Sequence, residues 1–184
     1  TGVLVVRKGL LCFNPEEREL IRSSGEENVA GIAALGKSLH LLQRIGFDVI
    51  REEEQVLTRR ALDGMSKISG VKILGIQDPE SPHFRDKGGV IPFEVKGLMA
   101  DKVAKVLDIQ GGIGVRAGCH CAHMLVKKLA HITPFLAQIQ GLIVFLFRKI
   151  ELPGVVRVSI GIQNTEEEID ILVQTLRKIS QHHK

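Results

Sequence analysis

Val155-Val156-Arg157-Val158-Ser159-Ile160-Gly161-Ile162, leading through Gln163-Asn164 into Thr165-Glu166-Glu167-Glu168-Ile169, is the stretch that decides the fold. Its first part alternates as a strand does: Val156, Val158, Ile160 and Ile162 share one face, and Val155, Arg157, Ser159 and Gly161 share the other. The second part opens a helix, because Thr165 and Glu168 stand at capping-box spacing ahead of an apolar stripe of Ile169, Leu172, Val173, Leu176 and Ile179. A strand with one oily face followed by a helix with one oily face is a layer pair in miniature. Arg157 points away from that core. It is either a solvated outer-face residue or a planar fork for a carboxylate or phosphate.

Working outward, Asp101–Leu107 reads as a short helix with an Asp101/Lys105 pair one turn apart, and Ile113–Val115 after Gly111-Gly112 reads as a short strand. Upstream, Val71–Ile76 and Val90–Val95 are strands joined by a loop from Asp78 to Gly89 that holds Pro79, Pro82 and Gly88-Gly89, giving a two-strand ribbon. Two long helices precede them. The first starts at Val29, carries Ile32, Leu35, Leu39 and Leu42, and is stopped by Gly46. The second carries Leu57, Ala61, Met65 and Ile68 and ends at Gly70. Before them, Gly2–Val6 reads as an apolar strand and Lys8 to Glu16 as irregular chain. The fold class expected is α+β, a small, mostly antiparallel sheet with helices packed on one side.

The 184 residues suit one domain or one plus a fragment of another, and 44% apolar with 25% charged residues excludes disordered, collagen-like and low-complexity chains. The net charge of +4 comes from basic residues interleaved with acidic ones, so nucleic acid is not an expected partner. The apolar run Ile132–Phe147 is broken by Thr133, Pro134, Gln138, Gln140 and Gly141 and is shorter than a bilayer core requires. It reads as a buried or interface helix, not a membrane span. No basic segment followed by an apolar one opens the chain, and the start at Thr1, inside an apparent strand, suggests that more chain belongs upstream. Three cysteines are too few for a disulfide scaffold and point to a reducing compartment, here expected to be cytoplasmic.

The segment richest in chemistry is Arg116-Ala117-Gly118-Cys119-His120-Cys121-Ala122-His123. A metal site would use Cys119, Cys121 and a histidine, but Cys-x-Cys is not the spacing of common zinc modules and no second ligand pair appears, so no metal is expected. Two buried structural thiols are a second reading. A third is a nucleophile: Arg116, His120 and His123 beside Cys121 would lower its thiol pKa and raise the thiolate fraction. Gly112-Ile113-Gly114-Val115-Arg116-Ala117 matches a dinucleotide fingerprint by letter, yet it runs from helix to strand, the reverse of what a pyrophosphate needs, and is read as a turn. His182-His183-Lys184 is read as a frayed polar end.

Arg116 to Ala122, the passage from Arg157-Val158-Ser159 through Asn164 to Asp170, and Gly25-Glu26-Glu27-Asn28-Val29-Ala30-Gly31-Ile32 together resemble the C-terminal part of class V aminotransferase-fold enzymes, in the cysteine desulfurase and selenocysteine lyase branch. The resemblance runs over nearly the whole chain in order. It implies that residues 1–22 are the end of a large pyridoxal-phosphate-binding domain and residues 23–184 the C-terminal small domain. It further implies a homodimer, cysteine or a related amino acid as substrate, a sulfur-acceptor protein as partner, and a place in sulfur metabolism and iron–sulfur cluster assembly. In the complete enzyme pyridoxal phosphate would act as electron sink while a thiolate at Cys121 takes the substrate sulfur as a persulfide and alanine leaves. Arg157 would hold the substrate carboxylate, Arg116 would stand at the base of the mobile loop, and His120 would tune that loop.

This sequence also departs from its relatives. Asn28 matches a position near the cofactor phosphate, but Glu26-Glu27 stand where many relatives place a threonine that reaches that phosphate, and acids there repel it. Lys127–Glu151 is longer and more apolar than the family leads one to expect. The Schiff-base lysine lies upstream of the part this chain resembles, so the polypeptide alone is expected neither to bind the cofactor covalently nor to turn over cysteine. Two other functions stay open: a class V transaminase or epimerase with an incidental cysteine loop, and a stand-alone persulfide relay.

Overall fold

The structure is a computed structural model that describes residues 2–23, 25, 27–118, 120 and 154–181. It divides into two compact units, Thr1–Val49 and Ile50–Lys184. The first contains α1 (Pro15–Arg22), whose first two residues, Pro15 and Glu16, fall within the stretch expected to be irregular. A reciprocal cap starts it: Asn14 Oδ1 accepts from Glu17 N at 2.8 Å, and Glu17 Oε2 accepts from Asn14 N at 2.9 Å, with proline in the first turn. Helix α2 (Val29–Ile45) ends at Gly46 as expected. Neither helix buries a residue. Gly2–Val6, expected as a strand, has no ladder among the described residues, and Val5 is 87% exposed. An apolar run becomes a strand only where another strand offers its hydrogen bonds.

In the second unit, α3 (Phe47–Ser66) turns Leu57, Ala61 and Met65 inward with Leu62. The helix ends before Ile68, which a turn bond from its own N–H to Met65 O still folds into the core. Strands β1 (Val71–Ile73) and β2 (Val90–Val95) pair antiparallel, forming the expected ribbon. After α4 (Ala100–Gly111) come β3 (Arg116–Gly118), β4 (Val155–Ser159) and α5 (Glu166–Gln181). The sheet order is β1-β2-β4-β3, antiparallel throughout. Thr165 and Glu168 cap α5 in both directions, at 3.2 and 3.4 Å.

One sheet face carries Ile91, Phe93, Val95, Val156 and Val158, all in a single buried cluster with Leu62, Val103, Leu107, Leu172 and Leu176 from α3, α4 and α5. Three helices therefore cover one face, as the α+β reading expects. Helices α3 and α5 approach closely where Gly64 meets Val173: a Cβ at residue 64 would lie 2.5 Å from Val173 Cγ2.

Several boundaries differ from expectation. The third strand begins at Arg116 instead of Ile113, because α4 runs on to Gly111 and is closed by Gly112 in the left-handed conformation, with Ile113 N–H returning to Leu107 O. Ile113 packs on the core from that cap. Strand β1 stops at Ile73, short of Ile76, since Gly75 turns to φ +78 and Gln77 Nε2 folds back on Ile73 O. Strand β4 stops at Ser159, where Asn164 Oδ1 accepts from Gly161 N and makes a turn, which leaves Ile162 exposed. Val155, assigned to the outer face, is nonetheless buried there beside Leu74. The helix expected over Ile132–Phe147 and the tail His182–Lys184 lie outside the described residues.

An ion cluster joins α3 to α5. Arg60 grips Asp170 through two bonds of 2.8 and 2.7 Å and reaches Glu166 at 2.6 Å. The Arg60 hydrogen bond holds the Asp170 carboxyl below its ordinary range. A depressed folded-state pKa contributes stability that is complete above the ordinary carboxylate value of about 4 and is lost as pH falls through the depressed value. The melting temperature of the chain is therefore expected to drop as pH is lowered below about 4, and Arg60→Gln to flatten that drop, as read by circular dichroism melts. Equal acid sensitivity in the variant would show that the cluster contributes nothing.

Candidate functional site

The face of the sheet opposite the helices is where the chemistry gathers. On β4, Arg157 lies between Pro92 of β2 on one side and Arg116 of β3 on the other, in register with both. Two guanidinium-bearing residues thus stand directly opposite one another across an antiparallel pair, an arrangement that costs a few tenths to ~1 kcal/mol when nothing negative lies between them. Both are β-strand residues, so backbone hydrogen bonds, not loop conformation, set their spacing. The alternation of β4 explains why Arg157 faces outward while Val156 and Val158 are only 1% and 7% exposed.

Gly118 ends β3 with φ +104, a conformation that favours glycine, and its backbone lies against Gly154: a Cβ on residue 154 would come 2.5 Å from Gly118 Cα. The next described residue, His120, is itself left-handed at φ 52. It is the one non-glycine residue with positive φ among the described residues, and such conformers cost of order 1 kcal/mol. Its ring is tied to the end of β4, Nε2 lying 2.9 Å from Val155 O. So the turn after β3 is fastened to the strand that carries Arg157, two residues from it.

Buried polar side-chain atoms without a partner number three among the described residues: Thr58 Oγ1, His120 Nδ1 and Arg157 Nε. Thr58 belongs to the helix layer. The other two belong to Arg157 on β4 and to the His120 ring fastened to that strand's first residue, and a buried donor without a partner calls for an acceptor. Arg157 Nε–H can serve an anionic oxygen, and a carboxylate suits a fork that already has one buried arm.

Of the residues singled out in the sequence, Arg116 and Arg157 stand in register across β3 and β4, and His120 is tied by its ring to the first residue of β4. Cys119, Cys121 and Glu26 lie outside the described residues. Asn28 caps α2 in the first unit, where its Oδ1 accepts from Gly31 N at 2.8 Å. That bond satisfies one of the free N–H groups at the start of α2. Neither β3 nor β4 carries a lysine. The two arginines and the histidine of these strands and their turn suit the anionic end of a substrate. A cleft of about 590 Å³ between β1–β2 and the start of α4, with Lys72, Glu94 and Lys96 on its walls, holds neither arginine of the pair. No helix among the described residues is long and apolar enough to cross a membrane. Sequence reasoning missed the role of Val155 O as the histidine's anchor; nothing in a valine signals it.

Residues 10–172 match the sequence model of the family described as aminotransferase class V. Proteins named probable cysteine desulfurase are similar to this chain: that of Methanothermobacter thermautotrophicus is 33% identical over 158 residues, spanning 85% of this chain and 33% of its own length. That of Staphylococcus aureus is 32% identical over 155 residues, spanning 84% of this chain and 31% of its own. Among solved structures, a cysteine desulfurase from Thermococcus onnurineus matches 78% of this chain and 29% of its own with a TM-score of 0.59 at 26% identity. The Escherichia coli cysteine desulfurase CsdA shares the fold over 87% of this chain and 32% of its own, with a TM-score of 0.63 at 22% identity. The chain spans about a third of the length of the curated relatives it matches. With the arginine-bearing sheet, the one-sided helix layer and a family match over most of its residues, the chain belongs to the class V aminotransferase family, whose members are generally pyridoxal-phosphate-dependent, and is cysteine desulfurase-like within it.

Proposed function

We propose that this chain supplies the C-terminal portion of a cysteine desulfurase, with residues 1–22 the end of a large cofactor-binding domain and 23–184 the small domain. The observation that carries the reading is the Arg116–Arg157 cross-strand pair with its buried, unpartnered Nε, set beside a turn whose histidine is pinned to the same strand. Arg157 holds the α-carboxylate of L-cysteine, and Arg116 keeps the same corner positive. The thiolate of Cys121 takes the substrate sulfur. A new S–S bond forms, the substrate C–S bond breaks with its electron pair kept on carbon, and the three-carbon remainder takes up a proton and leaves as alanine. The persulfide on Cys121 then passes to an acceptor protein.

Pyridoxal phosphate, which stabilises such carbanionic chemistry, sits in this reading on the part of the protein beyond this chain. This chain's share is grip, charge and thiol. The test is mass spectrometry of the complete protein after L-cysteine, with the peptide that follows Arg116 fragmented to locate the added sulfur. One extra sulfur is expected on Cys121 and none after Cys121→Ala, with sulfide release lost. Sulfide release unchanged by Cys121→Ala would overturn the reading and favour a transaminase or epimerase with an incidental loop thiol.

A further inference from the structure

Pro92 is out of place in an interior strand. Proline has no N–H to give a ladder, so within sheets it belongs to edge strands, first residues and bulges. Yet β2 lies between β1 and β4. Leu74 N–H reaches Pro92 O at 2.9 Å, and the return bond to Leu74 O needs a hydrogen that proline lacks. The β1–β2 ladder closes one step earlier, with Ile73 and Phe93. The sheet therefore lacks a bond at residue 92, and its outer face carries a rigid ring there.

The direction of the Leu74 bond fixes what that ring faces. Because the Pro92 carbonyl points to β1, its pairing with Arg157 is of the non-hydrogen-bonded kind, in which Cα atoms stand about 4.5 Å apart and side chains are closest. Arg157 then turns its own N–H and C=O toward β3, which makes Arg116 its hydrogen-bonded partner, at about 5.5 Å. Of the two cross-strand neighbours, the proline is the nearer to the Arg157 stem. Its ring has no acceptor. Glu94, the acid on that face of β2, pairs with Lys72 of β1 at 3.8 Å. Leu74 and Val155, also on that face, are apolar and are 5% and 2% exposed. These side chains offer Arg157 Nε no acceptor, and it is buried without a partner.

We infer that Pro92 is a positioning residue for Arg157: its ring walls in the arginine stem and leaves Nε–H to an incoming carboxylate. A side chain already held by packing loses less freedom when its ligand arrives, so the wall tightens binding without touching the substrate. The inference rests on the desulfurase reading for the carboxylate it names, that of L-cysteine.

Two substitutions separate the ring from the backbone, because both restore the N–H. Pro92→Ala removes the wall, and Pro92→Val rebuilds an apolar, branched one suited to a strand. In the full chain, phenylglyoxal modification of Arg157 is followed by fragment mass spectrometry, with Arg116 as internal reference. The ratio of the Arg157 rate to the Arg116 rate is expected to rise about threefold in the Ala variant and to keep its unaltered value in the Val variant. In the complete protein, Ala is expected to raise KM for L-cysteine about fivefold with kcat changed by less than about twofold, and Val to restore KM. A merely structural proline predicts otherwise: a strand that regains its N–H keeps its thermal stability, and KM does not move. Either readout unmoved in the Ala variant overturns the inference, and so do equal effects of Ala and Val, which trace to the backbone N–H.

Should the Ala variant fail to fold by circular dichroism, Pro92→Ser takes its place, since a hydroxyl there gives Nε–H a competing acceptor. KM is expected to rise, and an unmoved KM overturns the inference. Faster Arg157 modification and a raised KM in a protein whose sulfide release survives Cys121→Ala would sink the desulfurase reading alone. A Cys121-dependent desulfurase whose Ala variant keeps its KM would sink this inference alone.

Discussion

Arg157→Met, made in the complete protein, is expected to lower kcat/KM for L-cysteine by about 10²- to 10³-fold, the equivalent of roughly 3–4 kcal/mol. The magnitude follows from what the side chain has to offer. Its guanidinium has a buried Nε–H with no partner, it faces Arg116 across the β3–β4 ladder, and it stands on a strand whose register cannot slip without turning Val156 and Val158 out of the core. A substrate carboxylate would satisfy the open donor and relieve the like-charge pair at once. Methionine keeps the bulk and removes both. Because a carboxylate is gripped equally in ground and transition states, most of the loss is expected in KM. Arg157→Lys should fall between the two, since an ammonium keeps the charge without the fork. Steady-state kinetics decide the matter, and a Met variant within about twofold of the unaltered protein would remove Arg157 from substrate binding.

Phe93→Ala is expected to destabilise the chain by about 3–5 kcal/mol, a melting temperature lower by roughly 10–15 °C. Phe93 is fully buried in β2, Cα-paired with Ile73 on one side and Val156 on the other, and it heads the largest side chains in the core. Its removal leaves a cavity between sheet and helices that close-packed neighbours cannot fill. The same substitution should weaken the site, because Pro92, its neighbour in β2, is in register with Arg157. Thermal melts check the first effect. A drop of under about 3 °C would mean that the core closes over the gap.

The two substitutions act on opposite faces of one sheet, and the sequence was informative about each face to a different degree. The alternation from Val155 to Ser159 put Val156 and Val158 inward and Arg157 outward, as found, because strand periodicity is a local property of the chain. The Thr165/Glu168 cap was equally legible, since a capping box needs only four consecutive residues. Asn14 and Glu17 carry the same four-residue signal ahead of α1. Where strands end was not legible: β3 starts three residues late because pairing depends on which part of β4 comes alongside, and α4 first had to finish its left-handed cap at Gly112.

The candidate site divides in the same way. That Arg116, His120 and Arg157 carry chemistry could be argued from residue type and neighbours in the chain. That Arg116 faces Arg157 rather than some other outward residue depends on the β3–β4 register, a contact between segments nearly forty residues apart, and a one-residue slip would have faced the two arginines to opposite sides. The tautomer of His120 depends on the carbonyl of Val155, whose hydrogen-bonding role no side chain announces. Sequence alone determined most of the elements of the second unit, their oily faces and the reactive residue types, since these rest on periodicity and side-chain chemistry within a few residues. Only the tertiary structure decided which charges confront each other and which ring nitrogen stays open, since both depend on backbone atoms brought together by strand pairing.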